Sequence, residues 1–124
     1  MQPQWDDNQP IYRQVKERVL EMILDGDLTE GDALPSVRTV SAEYQLNPLT
    51  VLKGYQELVD EGLVEKQRGK GMFVTVGARE RLLKSARSRF LSDEWPRIRA
   101  TIERLGIDIG ELIAGEGGDN GEQT

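Results

Sequence analysis

The sequence predicts a mainly α-helical chain with one small β-hairpin, and three observations carry that prediction. Apolar residues recur every three to four positions through most of residues 11–61 and again through 82–105, the period of an amphipathic helix. Strand-type runs appear only in residues 63–76, on either side of Arg68-Gly69-Lys70-Gly71. Asn47-Pro48 marks a sharp helix start: Asn accepts a bond from an orphan amide at the N-cap, and Pro at the first helical position has its φ already set and needs no donor.

The first helix is predicted over residues 11–24, where Ile11, Val15, Val19 and Met22 or Ile23 form the stripe and Gly26 ends it. Glu30-Gly31-Asp32 reads as a turn, and Leu34-Pro35 leads into the next element. Ser36 suits an N-cap for a short second helix ending near Tyr44, with Val37, Val40 and Ala42 apolar. The third helix runs from Pro48 to about Glu61 on the stripe Val51, Tyr55, Leu58 and Val59. Gly62 follows it as a natural C′ residue. Residues 63–67 and 72–76 then form the hairpin, with a glycine-rich tip. Tyr55, Leu58, Val64, Phe73 and Val74 are expected in the core.

A second helical region follows. Leu82 or Leu83, Ala86 and Phe90 mark one segment, and Trp95, Ile98, Ile102 and Leu105 mark another with coiled-coil-like spacing. Either Ser92 caps a separate helix or one long helix kinks at Pro96. Residues 108–113 add a further turn or two, and the Gly-rich stretch 114–124 is expected to be disordered. The expected organisation is therefore residues 9–76, 77–113 and a tail 114–124.

Composition narrows the chemistry. The 124 residues contain no Cys and no His, which excludes disulfide scaffolds, Cys/His metal sites and His-dependent catalysis. No apolar run approaches the ~18 residues of a membrane span, and Met1–Gln9 is polar and acidic, unlike a signal peptide. A cytoplasmic location is expected. The acidic residues Asp25, Asp27, Glu30 and Asp32 lie in a turn rather than as an opposed pair, so no enzyme activity, cofactor or metal is expected. The net charge is −6, yet residues 36–76 balance five basic against five acidic side chains. An acidic total argues mildly against nucleic acid as partner, but the charge of the contact face decides.

Helix, helix, tight turn, helix, hairpin is the order of a helix-turn-helix with a wing, in which the second helix of the pair enters the major groove of double-stranded DNA. Residues 34–74 carry LPS-x-R, N-P-x-T-V, E-L-x-x-E-G-L and R-G-K-G-x-F-V in order and register. At these residues the sequence resembles the GntR family of bacterial transcription regulators. P-I-Y-R-Q before the first helix and L-G-I-D-I-G-E-L near the end resemble its YtrA subfamily. The resemblance implies a homodimeric repressor bound to a palindromic operator, nucleoid-associated when bound, with a short C-terminal helical dimerisation region. It also suggests transporter or envelope-stress genes as targets.

The DNA-binding candidates are Ser36, Arg38, Asn47, Pro48, Leu49, Thr50, Lys53, Arg68, Gly69, Lys70 and Gly71. The resemblance implies DNA contact for Arg38. Thr50 suits a phosphate or base edge, Leu49 a thymine methyl, and Lys53 a phosphate. The wing glycines let backbone approach closely while Arg68 and Lys70 supply charge. The dimerisation candidates are Leu83, Phe90, Trp95, Ile98, Ile102 and Leu105. Leu52 and Gly54 stand where many relatives have a polar or basic residue and Ala; Gly within a helix costs about 1 kcal/mol relative to Ala. Only 48 residues follow Val76, too few for the usual effector domain, so no small-molecule effector is assigned. The rival reading is a winged-helix protein–protein module without DNA contact.

Overall fold

In the computed structural model, the described residues are Trp5 and 7–116. The chain divides into two compact units, Met1–Lys84 and Ser85–Thr124.

The first unit contains helices α1 (Ile11–Asp25), α2 (Val37–Tyr44) and α3 (Pro48–Asp60), strands β1 (Val64–Gln67) and β2 (Gly71–Val74), and the start of α4 (Ala78–Arg89). Each helix boundary has a local cause. Gly26 closes α1 in the left-handed region at φ 87°. The Ser36 hydroxyl accepts the Thr39 amide at 3.0 Å, and the Asn47 side chain accepts the Leu49 amide at 2.8 Å. These caps satisfy amides that the first helical turn leaves orphaned. Between α2 and α3, Gln45 takes φ 56°, a left-handed conformation that a non-glycine residue seldom adopts. It lets the chain reverse within three residues.

The core joins Val15, Val19 and Ile23 of α1 to Val51, Tyr55 and Leu58 of α3, with Val64 and Val74 packed beneath from the hairpin. α1 and α3 come close enough that Gly54 is buried between them. The Lys16 ammonium bonds Glu61 and, at 3.3 Å, Glu57, tying the same two helices at the rim. Burial pulls the Lys16 pKa down, but the bonds and charges of Glu61 and Glu57 outweigh it and leave the pKa raised.

The hairpin pairs Val64 with Val74 and Gln67 with Gly71. Gly69 and Gly71 both take positive φ at its tip, as the tight reversal requires. Residues expected to form only a turn add a third edge. Gly31 donates to the Val74 carbonyl, Val74 to Asp32, and Leu34 to Met72, all within 2.8–2.9 Å. Phe73 pairs with Glu65 on the face opposite Val74 and is only half-buried. This corrects its expected core position, because neighbouring strand residues face opposite ways.

The compact unit extends past Val76 to Lys84 because Ala78 and Leu82 of α4 are buried in its core. Two arginines fasten this start of α4. Arg79 donates to the Leu24 carbonyl at the end of α1, at 3.0 Å. Arg81 donates to Gly62 at 2.7 Å, to the Thr75 hydroxyl at 3.0 Å and to Val76 at 3.1 Å.

The second unit contains the rest of α4, a π-helical turn Phe90–Glu94, helix α5 (Trp95–Leu105) and helix α6 (Ile109–Glu116). The helical path continues through the π turn into α5, and Ser92 does not cap α5. The Trp95 amide reaches back five residues to the Phe90 carbonyl. Pro96 has no amide to offer Ser92, and the wider turn accommodates its ring. Gly106 ends α5 at φ 68°. Helix α6 runs through Ala114 and Gly115 to Glu116, which corrects the expected disorder for those residues; Ala and Glu are strong helix formers. The remainder of the expected tail, 117–124, lies outside the described residues.

Candidate nucleic-acid interface

The candidate residues of the first unit fall into three groups by what their side chains do. Ser36, Asn47 and Pro48 build helix starts. The Ser36 hydroxyl accepts the Thr39 amide and donates to the Thr39 hydroxyl at 2.8 Å. Pro48 opens α3. These residues aim α2 and α3.

Leu49, Thr50 and Lys53 form the second group, within the first five residues after Pro48 on α3. Leu49 is 71 % exposed and Thr50 half-buried. Lys53 holds its ammonium 4.1 Å over the Tyr12 ring of α1, an attraction of about 0.5–1 kcal/mol at an exposed site. That contact keeps the charge beside the helix while leaving the side chain exposed.

Arg38, Arg68, Gly69, Lys70 and Gly71 form the third group, and all are exposed. Among the described residues, the ion pairs are those of Lys16 and of Arg99 with Glu103, so no carboxylate neutralises Arg38, Arg68 or Lys70. Ser36, Lys70 and Gly71 line one groove of about 200 Å3 between the start of α2 and the wing. Lys66 lines it too. Sequence reading missed Lys66 because it stands in a strand-type run; the register sets it opposite Met72, which lines the same groove. Two ammonium groups beside a helix N-terminus make a positive notch, where a phosphate is electrostatically favoured. Arg38 stands on α2 and Arg68 at the wing tip, and neither lines this groove.

Tyr55 underpins the notch. Its hydroxyl donates to the Pro35 carbonyl at 2.8 Å, just before α2. Burial pushes its pKa up to about 12.

Among the described residues, no group of three or more Asp, Glu, His or Cys side chains could hold a metal. Among the described residues, no helix is long and apolar enough to cross a membrane.

The second unit, taken by itself, has no buried side chain among its described residues. Trp95 and Ile102 are half-buried, and Phe90 lies 6.5 Å from Trp95, ring centre to ring centre. Ile98 and Leu105 are 42 % and 64 % exposed. Ile109, Leu112 and Ile113 of α6 are also exposed, which extends the apolar surface past the expected seam. Leu83 is half-buried and belongs to the first unit, where its neighbour Leu82 enters the core.

The sequence profile of "Bacterial regulatory proteins, gntR family" matches residues 11–74. The HTH-type transcriptional repressor YtrA of Bacillus subtilis (strain 168) is 31 % identical over 103 residues, covering 83 % of this chain and 78 % of that one. A transcriptional regulator from Oenococcus oeni superposes with a TM-score of 0.73 at 28 % identity, over 95 % of this chain and 98 % of that one. The DNA-binding domain of AraR, solved in complex with operator ORX1, superposes with a TM-score of 0.53 at 26 % identity, over 60 % of this chain and 92 % of that one. The Bacillus subtilis and Oenococcus oeni relatives are named as regulators of transcription, not as enzymes.

Proposed function

Because the chain belongs to the GntR family of bacterial regulatory proteins, a family of DNA-binding transcription regulators, we propose that it is a repressor that grips an inverted-repeat operator as a homodimer. The observation that carries this reading is the unneutralised set Arg38, Arg68 and Lys70 around the winged helix of an otherwise acidic chain. In this reading α3 enters the major groove, with Leu49 and Thr50 at the base edges. Arg38, Lys53, Lys66, Arg68 and Lys70 meet phosphates, and Gly69 and Gly71 let the wing tip approach the backbone. Ser36, Asn47 and Pro48 position the two helices. AraR, a structural neighbour, is solved with its operator, and that supports the docking mode.

The homodimer is supported by the second unit. An isolated segment of this size with Phe90, Ile98, Leu105 and Leu112 exposed and nothing buried among its described residues lacks a core of its own. A second copy supplies one, with Phe90, Trp95, Ile98, Ile102 and Leu105 in the seam and Leu83 near its beginning. A dimer reads two half-sites, which gives the specificity that one half-site lacks. Regulation of transporter or envelope-stress genes, by analogy with YtrA-like regulators, completes the proposal.

The test is selection of genomic fragments by the purified protein, followed by footprinting of those retained. Two protected half-sites related by two-fold symmetry, upstream of transporter or envelope genes, support the proposal. Retention without any common sequence contradicts it.

A further inference from the structure

Leu49 and Leu52 lie three residues apart on α3 and are 71 % and 39 % exposed. Val76 is the one other exposed large apolar side chain among the described residues of the first unit. Two leucines make a patch far below the roughly 800 Å2 per partner of a stable protein interface. They stand at the start of the helix assigned above to the major groove, with Thr50 and Lys53 beside them. In a polar groove, leucine satisfies no donor or acceptor, so each leucine must face an apolar part of a base edge or leave base polar groups unpaired. The major groove offers one such part, the C5-methyl of thymine.

The spacing fits. Three residues of helix advance by about 4.5 Å, against about 3.4 Å between stacked base pairs. Two methyls on neighbouring or next-neighbouring base pairs therefore match the two leucines. We infer that Leu49 and Leu52 together form a methyl-reading pair, which selects two pyrimidines bearing a C5-methyl group in each operator half-site. This rests on the DNA-reading role of α3 and goes beyond it by naming the chemical group read. The same methyl on 5-methylcytosine serves as well, since it projects from the same ring position.

The experiment uses the full-length protein and a duplex recovered by selection from random-sequence DNA. That duplex is resynthesised with deoxyuridine replacing each thymidine in turn, which removes the methyl and keeps every base-pairing group. Two positions per half-site are expected to lose affinity, by about fourfold for each methyl removed, the transfer free energy of one buried carbon. Leu49→Ala is expected to abolish the loss at one position and Leu52→Ala at the other. Both sites are exposed and Ala favours helix, so the variants fold, as circular dichroism will verify. A C·G pair at either position is expected to bind weakly and to regain affinity when the cytosine carries a 5-methyl group. A selected site indifferent to deoxyuridine, or a deoxyuridine penalty unchanged in both variants, overturns the inference while leaving DNA reading intact. Failure to enrich any sequence overturns both.

Discussion

The carbonyl oxygen of Tyr12 occupies the place a side chain at position 54 would need: a Cβ built on Gly54 would lie 2.6 Å from it. The glycine is therefore the condition for α1 and α3 to pack at their observed separation. Gly54→Ala returns about 1 kcal/mol of helix propensity but forces backbone against backbone. Overpacking of this kind costs about 1–3 kcal/mol, occasionally more. We expect the variant to be less stable, with a lower urea midpoint and an unchanged slope. A raised midpoint would show that the helices separate freely.

Gln45 holds φ 56° between α2 and α3. A left-handed conformation costs a non-glycine residue on the order of 1 kcal/mol, and glycine carries no such penalty. Gln45→Gly is expected to leave stability unchanged or to raise it by up to about 1 kcal/mol, after the entropy of the freer unfolded chain is subtracted. Thermal unfolding of the two proteins side by side checks this, and a clear loss of stability would mean the turn relies on the Gln side chain.

Much of the first unit was legible in the sequence, and the parts that were not share a physical cause. Ser36, Asn47-Pro48 and Gly26 act on their own backbone, so their signals are local and the helix ends fall within about a residue of expectation. Gly54 looked like a softening of α3 because the reason for it, the Tyr12 carbonyl, lies on another helix. Arg79 and Arg81 carry no motif of their own; the fold brings them to the carbonyls of residues 24, 62 and 76. The third edge at Gly31–Leu34 is made of main-chain bonds that carry no side-chain signature. The interface candidates were legible where charge and glycine coincide, as at the wing tip. Lys66 joined them only through the strand register.

The Tyr55 hydroxyl gives the stability a specific alkaline limit. The unfolded tyrosine ionises from its ordinary value of 10.0, whereas the folded one keeps its proton up to about 12. Between those values the unfolded state binds fewer protons, so stability falls as pH rises. Tyr55→Phe is expected to be less stable at neutral pH by about 1 kcal/mol, for the lost bond to Pro35, and to lack this component of the alkaline decline. Parallel pH profiles would expose the prediction as wrong.

DNA affinity is expected to depend steeply on salt despite the net charge of −6. Arg38, Lys53, Lys66, Arg68 and Lys70, doubled in a dimer, provide about ten phosphate contacts and a log–log slope of roughly −9. Lys70→Ala should weaken all sequences alike and reduce the slope by about one per protomer. Fluorescence anisotropy across a salt series reads both quantities, and a slope near zero would remove these cations from the interface.

In the proposed assembly, two copies joined through the second unit hold one inverted repeat. Sedimentation velocity of the full-length protein and of Ile102→Asp, each alone and mixed with the selected duplex, tests it most directly. Ile102 is half-buried in the seam of α5, so a carboxylate there opposes any apolar pairing of that face. The parent is expected to be a dimer that places two protomers on each duplex. The variant is expected to be a folded monomer that binds weakly and without preference for the repeat. A parent that sediments as a monomer on the duplex, or a variant that remains dimeric and binds the repeat as tightly as the parent, would contradict it.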